Sequence, residues 1–332
     1  MQKAAIVGLG WWGVHIIRQL QGSEVLRITT AVGRRAAQKQ VADQFNLAFT
    51  TSIDEVLSSP QIHLVILATP HALHADQIAR AAKAGKHVFC EKPLTLDARA
   101  AREAVDACNA AGVRLGVGHE RRFEPAMAEL KTVLAQGELG TVMHVEANFS
   151  HDKLRALPED NWRLPSDSEP PLAMTATGIH LTDAFIDLLG PIIEVSAFTA
   201  SRVAFPTTGD VLSAHLRFAC GATGYINTIL ATPFYSRLAI FGSEAHVEVR
   251  NETHPDQPGK CSLTIHYRDG RQVMRELGWQ DAVRANLESF ASAVEFDAPY
   301  PFTDEQLVGN VAVLESITRS AKSHAVEKVE GM

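Results

Sequence analysis

Cysteine, basic charge and long apolar runs are all scarce in this 332-residue chain. The four cysteines show no C-x-x-C or zinc-ligand spacing, and they are too few for a disulfide framework. Acidic residues outnumber basic ones by 38 to 31, so we expect no nucleic-acid partner. No apolar run approaches the ~20 residues of a membrane helix. These absences predict reduced thiols, a cytoplasmic location and no contact with a membrane.

The distribution of apolar runs predicts two domains, as does a prior of roughly 150 residues per domain. In the first third of the chain, short strands that are apolar on both faces alternate with helical patterns. This alternation is typical of a parallel sheet covered by helices. After about residue 120, strand-like runs follow one another without helices between them. They predict a second domain of α+β type with an antiparallel or mixed sheet.

A glycine-rich loop follows the first strand and opens the first predicted helix. Its sequence, Gly8-Leu9-Gly10-Trp11-Trp12-Gly13, has the G-x-G-x-x-G spacing of dinucleotide-binding loops. Glycines let a pyrophosphate approach main-chain N–H groups where the helix dipole favours negative charge. A purely structural turn is the alternative. Trp11 and Trp12 either pack against the sheet or line the cofactor site.

The residues after the second strand indicate which dinucleotide is bound. An acidic residue at this position binds the ribose 2′-hydroxyl of NAD(H). Here the chain reads Gly33-Arg34-Arg35, with no carboxylate and two guanidinium groups. Because arginine can clasp a 2′-phosphate, the sequence favours NADP(H), while NAD(H) stays possible. The alternative is that both arginines are simply solvated.

Several motifs follow the glycine loop in a fixed order: Thr69-Pro70 with His74, Glu91-Lys92-Pro93, the run from His119 to Pro125, and Gly178-Ile179-His180-Leu181-Thr182-Asp183. Together they resemble the glucose–fructose oxidoreductase / inositol dehydrogenase / MocA (Gfo/Idh/MocA) family over nearly the whole chain. The Glu-Lys-Pro triplet, at its distance from the glycine loop, is the most specific of them.

The resemblance implies both a fold and an activity. The fold class is α/β, with a Rossmann NAD(P)-binding domain over residues 1–120. Residues 121–332 are expected to form an α+β domain for substrate binding and oligomerisation, built on an open, mostly antiparallel sheet. That sheet implies a homodimer or homotetramer, with the nicotinamide in the cleft between the domains. Family members mostly oxidise or reduce secondary alcohols and carbonyls of sugars, cyclitols and related polyols.

The resemblance also assigns roles to individual residues. Lys92 is expected to stabilise the substrate oxygen electrostatically, and its bond to Pro93 is implied to be cis. His180 is expected to exchange a proton with the substrate hydroxyl, since imidazole titrates near neutral pH. The resemblance also places Thr69, Pro70, His74, Glu91 and Lys92 in the cofactor site, together with the glycine loop and the two arginines. No metal is expected, because His71 and His74 have no third ligand nearby.

One position departs from the family pattern. The usual catalytic aspartate lies four residues before the histidine, where this chain has Ala176. Three explanations remain open: a reductase that needs less base strength, a substrate that is bound differently, or a weakened or lost activity. A nucleotide-sensing regulatory protein is therefore the rival function. A third hypothesis is a self-recycling enzyme that holds its cofactor tightly.

The remaining candidate residues carry alternatives. Asp183 shares a helical face with His180 and either orients its ring or anchors the helix. Arg122 either pairs with a carboxylate in the cleft or braces the domain junction. Trp162 and Arg163 lie in an irregular segment that forms either the substrate wall or an oligomer contact. The predicted substrate-binding set is Lys92, Arg122, Trp162, Arg163, Thr177, His180 and Asp183.

Overall fold

The computed structural model describes residues 1–158, 161–164, 170–204 and 209–330. The chain divides into two compact units. The first unit combines Met1–Thr95, Arg99–Glu120 and Val283–Leu307, and the second contains Leu96–Ala98, Arg121–Ala282 and Val308–Met332. Across the described ranges, no helix is long and apolar enough to cross a bilayer.

Both units combine β-strands and α-helices. The strands are β1 (Gln2–Val7), β2 (Leu26–Val32), β3 (Ala48–Thr50), β4 (Leu64–Leu67), β5 (His87–Cys90), β6 (Leu115–Val117), β7 (Val142–Ser150), β8 (Ile192–Ala200), β9 (Val211–Phe218), β10 (Thr223–Ile229), β11 (Tyr235–Gly242), β12 (Ala245–Asn251), β13 (Cys261–Tyr267), β14 (Gln272–Leu277) and β15 (Glu327–Lys328). The helices are α1 (Trp11–Gln19), α2 (Lys39–Gln44), α3 (Ile53–Ser58), α4 (His74–Lys83), α5 (Ala98–Ala110), α6 (Pro125–Ala135), α7 (Ile179–Leu189), α8 (Ala282–Phe296) and α9 (Asp304–Ser323).

The first unit is built on a six-stranded parallel sheet with the order β3-β2-β1-β4-β5-β6. All four residues of β4 are fully buried, as expected for a strand covered on both faces. This arrangement confirms the predicted Rossmann domain. The sequence prediction missed β3 and α3, which are only 3 and 6 residues long.

Helix α8 belongs to the first unit, although the predicted boundaries put it in the second domain. Leu287 and Phe290 of α8 are fully buried in the same core as Ile6 and Phe89. The Phe290 ring lies 5.7 Å from that of Phe89. A Cβ on Gly116 would lie 2.6 Å from the Phe290 ring, so only a glycine at position 116 leaves room for this side chain. The division 1–120 and 121–332 is corrected accordingly.

The second unit contains a nine-stranded sheet with the order β14-β13-β12-β11-β7-β10-β9-β8-β15. Only β7 and β10 are paired in parallel, and the other seven pairs described are antiparallel. The prediction of a mostly antiparallel sheet is confirmed. It missed β14, whose residues alternate between exposed and half-buried and so lack a buried apolar face.

The two faces of this sheet differ in chemistry. One face packs against helices in a core that includes Val145, Ile240, Phe185 and Ile317. The opposite face is half-buried and polar, and there Arg237 forms salt bridges with carboxylates on β7 and β12. The sheet is therefore open on one side.

Helix α6 borders the core on the covered side. It begins with Pro125, a position where the missing N–H costs no hydrogen bond.

Candidate cofactor and substrate site

The loop between β1 and α1 is closed tightly by glycine. Gly8 has a φ of +105°, and a Cβ there would lie 2.4 Å from the carbonyl oxygen of Ala68. A Cβ on Gly13 would lie 2.0 Å from the carbonyl oxygen of Gly8. At Gly10, by contrast, a Cβ would meet nothing within 4 Å. The loop thus packs against the sheet and leaves open space at the start of α1.

That open space has the properties of a pyrophosphate site. The first amides of a helix have no intrahelical acceptor, and no side chain caps α1 or places a carboxylate in its first turn. The helix dipole also favours an anion there. The neighbouring strands β1 and β4 mark the switch point at which open α/β sheets bind ligands. The residues present fit a dinucleotide.

The two tryptophans of the loop have different surroundings. Trp11 is 56% exposed, beside the open space at the helix start. Trp12 is half-buried against the core of the first unit, and its ring stacks on His15 at 4.9 Å. Trp12 therefore packs against the protein, whereas Trp11 is accessible to a ligand.

Arg34 and Arg35 follow β2 and are both exposed. Among the described residues, neither guanidinium is ion-paired with a carboxylate. The next basic residue, Lys39, is occupied by Asp43 at 2.7 Å. The two arginines therefore present uncompensated positive charge at the end of β2.

His74 connects two of the predicted cofactor segments. It is fully buried, and its ring nitrogens lie 2.9 Å from the carbonyl oxygen of Pro93 and 3.0 Å from that of Thr69. Burial lowers the pKa of the imidazole. The Thr69 hydroxyl donates to Gln77 at 2.6 Å, while Pro70 precedes a single helical turn that leads into α4. His74 thus connects the loops at Thr69 and Pro93, and its place in the cofactor site stays a prediction.

The Glu91-Lys92-Pro93 triplet follows β5. Glu91 is buried, and its carboxylate lies where a Cβ on Gly118 would come within 2.5 Å. Its Oε2 atom accepts a hydrogen bond from the Lys92 amide at 3.3 Å. Lys92 is half-buried, and its bond to Pro93 is cis, as the resemblance implies. Glu91 thus fixes the backbone from which the Lys92 side chain extends.

His180 lies in the first turn of α7 and is 4% exposed. A π-helical turn, Met174–Gly178, precedes this helix, and such turns are frequent at functional sites. His180 lines a shallow recess, with Arg121, Ser236 and Asn251 among its neighbours. The recess is lined by both apolar and polar residues of the second unit.

Arg122 and Asp183 form a buried ion pair. The guanidinium donates to both carboxylate oxygens, at 2.8 and 2.7 Å, and the two side chains are 1% and 3% exposed. Arg122 also bonds Asp187 at 3.3 Å, and Lys131 pairs with Asp187 at 2.8 Å. Arg122 and Asp183 thus pair with each other and anchor α7, and their substrate roles stay predictions.

The other predicted substrate residues are distributed unevenly. Thr177 is fully buried, and its hydroxyl donates to the Ala173 carbonyl at 3.0 Å, so it presents no surface to a substrate. Trp162 is 41% exposed, with the Arg163 guanidinium 4.3 Å from its ring centroid. Residues 159–160 and 165–169 of the same segment lie outside the described residues. The substrate role of Thr177 stays a prediction.

Arg121 is a residue that the sequence prediction missed. It borders the same recess as His180, bonds Glu124 at 2.7 Å and Ser236 at 3.2 Å, and lies 4.4 Å from the Phe149 ring centroid. Because Arg121 and Arg122 are adjacent in sequence, only the structure distinguishes the arginine at the recess from the buried one. Within the described ranges, no group of three or more potential ligands is arranged to hold a metal ion.

The fold and the loop geometry define a Rossmann-type dinucleotide-binding protein with a second, mostly antiparallel sheet. Residues 2–119 match the model of an oxidoreductase family with an NAD-binding Rossmann fold. Residues 127–248 match the GFO/IDH/MocA C-terminal domain. The chain therefore belongs to the Gfo/Idh/MocA oxidoreductase family.

Relatives in this family differ in cofactor. The chain is 29% identical to D-xylose 1-dehydrogenase (NADP(+)) 2 of Haloferax volcanii, over 98% of this chain and 99% of that protein. It is 33% identical to scyllo-inositol 2-dehydrogenase (NAD(+)) of Bacillus subtilis, over 46% of this chain and 45% of that protein. Aldose-aldose oxidoreductase of Caulobacter crescentus superposes with a TM-score of 0.87 at 23% identity, covering 98% and 99% of the two chains. This structural likeness shows the fold alone.

We expect Arg122→Met to lower the free energy of unfolding of the second unit by about 3–5 kcal/mol, because it leaves Asp183 buried and unpaired. Urea denaturation followed by circular dichroism measures the loss. The control is Arg217→Met, which removes an exposed partner of Glu194 and is expected to cost less than about 1 kcal/mol. Equal effects of the two substitutions would contradict the anchoring role.

Proposed function

We propose that this enzyme is an NADP(H)-preferring dehydrogenase or reductase that acts on a secondary alcohol or ketone of a sugar, cyclitol or related cyclic polyol. The observation that carries the cofactor preference is the pair of exposed, uncompensated guanidinium groups after β2. The names of the xylose and inositol dehydrogenases support the substrate class. The NAD(H)-dependent relative keeps NAD(H) as the alternative cofactor.

Two side chains are proposed for the chemistry. The nicotinamide supplies or accepts the hydride, so the protein must handle the hydroxyl proton and the charge on oxygen. Lys92 places an ammonium group next to the substrate oxygen and stabilises its negative charge. His180 exchanges a proton with the same hydroxyl. The anchoring of α7 by Arg122 and Asp183 keeps the imidazole in place.

Further contacts with the cofactor, the substrate and a second subunit are proposed for side chains and surfaces that are accessible. Trp11 is accessible beside the pyrophosphate site, and Gly8, Gly10 and Gly13 shape it. In the second unit, Trp162 and Arg163 are candidates for the substrate wall, since Trp162 keeps 41% of its surface exposed. We also propose that the open face of the nine-stranded sheet forms a homodimer or homotetramer contact.

Ala176 favours a second candidate function, a nucleotide-binding regulator with weakened chemistry. Its side chain is a methyl group four residues before His180 and packs against the core of the second unit. A methyl group cannot relay a proton, so His180 must act without a neighbouring carboxylate from this position. Turnover of any substrate would decide between the two functions.

We expect Lys92→Met to lower turnover by at least about a hundredfold, because removing one stabilising donor costs that much in comparable sites. The measurement is nicotinamide absorbance at 340 nm with a panel of aldoses, cyclitols and their ketones. Lys83→Met, which removes an exposed lysine from α4, is the control and is expected to keep full activity. Normal turnover of the Lys92 variant would refute its role. Absence of turnover by the unaltered enzyme on the whole panel would favour the regulatory function.

The double substitution Arg34→Ala/Arg35→Ala is expected to weaken NADPH binding at least tenfold (~1.4 kcal/mol) and NADH binding less than about threefold. Tryptophan fluorescence quenching reports both dissociation constants. Arg18→Ala/Arg27→Ala removes the same charge from α1 and from the opposite end of β2. That control is expected to bind both cofactors like the unaltered protein. If both double variants weaken NADPH binding equally, Arg34 and Arg35 contribute only through general electrostatic attraction and not through contact with the 2′-phosphate.

A further inference from the structure

Gln38 connects the arginine segment to the glycine loop. It lies at the end of the short helical turn Ala36–Gln38, after β2. Its Oε1 atom accepts hydrogen bonds from the amides of Arg34, at 2.8 Å, and Arg35, at 3.2 Å. Its Nε2 atom donates to the carbonyl oxygen of Leu9 at 3.3 Å. One side chain thus joins two segments that are 29 residues apart.

Gly33 makes room for this side chain. A Cβ on Gly33 would lie 3.0 Å from Oε1 and 3.2 Å from Cβ of Gln38, and 2.9 Å from the Phe49 ring. The glycine is itself buried at the end of β2. Its position is where an acidic residue would bind the ribose of NAD(H). Here the space is filled by a neutral amide from the following turn.

The hydrogen bonds of Gln38 determine which groups remain for an anion. The amides of Arg34 and Arg35 are used by Oε1, so they are not donors for a phosphate. The two guanidinium groups remain exposed, with no carboxylate of the described residues paired to them. Gln38 therefore orients the backbone of both arginines while adding no charge of its own.

We propose that Gln38 is a positioning residue for discrimination between NADP(H) and NAD(H), an inference that rests on the proposed cofactor preference. Its hydrogen bonds fix the distance between the glycine loop at Leu9 and the backbone of Arg34 and Arg35. In NADP(H) the 2′-phosphate and the pyrophosphate are attached to the same ribose, so the protein must meet both within a limited range of distances. A carboxylate in place of the amide would accept the same hydrogen bonds and repel the 2′-phosphate.

Two substitutions separate geometry from charge. Gln38→Met keeps the length of the side chain and removes all three hydrogen bonds. Gln38→Glu keeps the acceptor for the amides, loses the donor to Leu9 and adds a negative charge. The control is Gln40→Glu, the same substitution at an exposed residue two positions further on in α2. Thermal unfolding by circular dichroism verifies that each variant is folded.

Fluorescence titrations with NADPH and with NADH give the ratio of the two dissociation constants, which decides the question. We expect the dissociation constant for NADPH to rise about fivefold in Gln38→Met and at least tenfold in Gln38→Glu. The constant for NADH is expected to change less than about threefold in both, and Gln40→Glu is expected to keep the unaltered ratio. Equal weakening of both cofactors would make Gln38 a general brace of the loop and overturn the proposal. No change in either variant would overturn it as well.

The Arg34→Ala/Arg35→Ala protein distinguishes this failure from that of the cofactor preference. If the double variant loses the preference for NADPH and the Gln38 variants keep it, only the positioning role is wrong. If the unaltered protein binds NADH as tightly as NADPH, both inferences fail together.

Discussion

Arg122 donates two hydrogen bonds to Asp183 in a place from which water is almost excluded. Breaking such a pair leaves a buried charge, so the pairing is strongly enforced once the unit folds. It connects the start of the second unit to α7, the helix that carries His180. Asp187 and Lys131 extend the network towards α6. The position of the proposed acid–base group thus depends on a buried ion pair and its neighbours.

In the first unit, the main constraint is the close packing of the glycine loop, which leaves backbone groups accessible to the proposed cofactor. Gly8 and Gly13 are fixed by contacts that any Cβ would violate, whereas Gly10 faces open space. The loop is therefore rigid where it meets the sheet and accessible where the helix begins. His74 and Glu91 stabilise the neighbouring loops through hydrogen bonds to backbone groups.

Sequence reasoning was most successful where a pattern has one physical solution. The glycine loop after an apolar strand and the doubly apolar strands led directly to the parallel sheet. Long-range pairing was harder to predict: Arg122 and Asp183 are 61 residues apart, and Thr177 turns its hydroxyl inward. Helix α8 was misassigned because its apolar face does not reveal which core it joins. Gln38 carries no motif, and only its hydrogen bonds distinguish it from the exposed Gln40.

Separate titrations of the unaltered protein with NADPH and with NADH are the sharpest test of the assignment of Arg34 and Arg35 to the 2′-phosphate. Trp11 and Trp12 belong to the glycine loop and are expected to report both titrations by fluorescence quenching. NADPH is expected to bind at least about tenfold more tightly than NADH, equivalent to ~1.4 kcal/mol. Equal or tighter binding of NADH would contradict the assignment of Arg34 and Arg35, and binding of neither would contradict a nicotinamide-dependent enzyme.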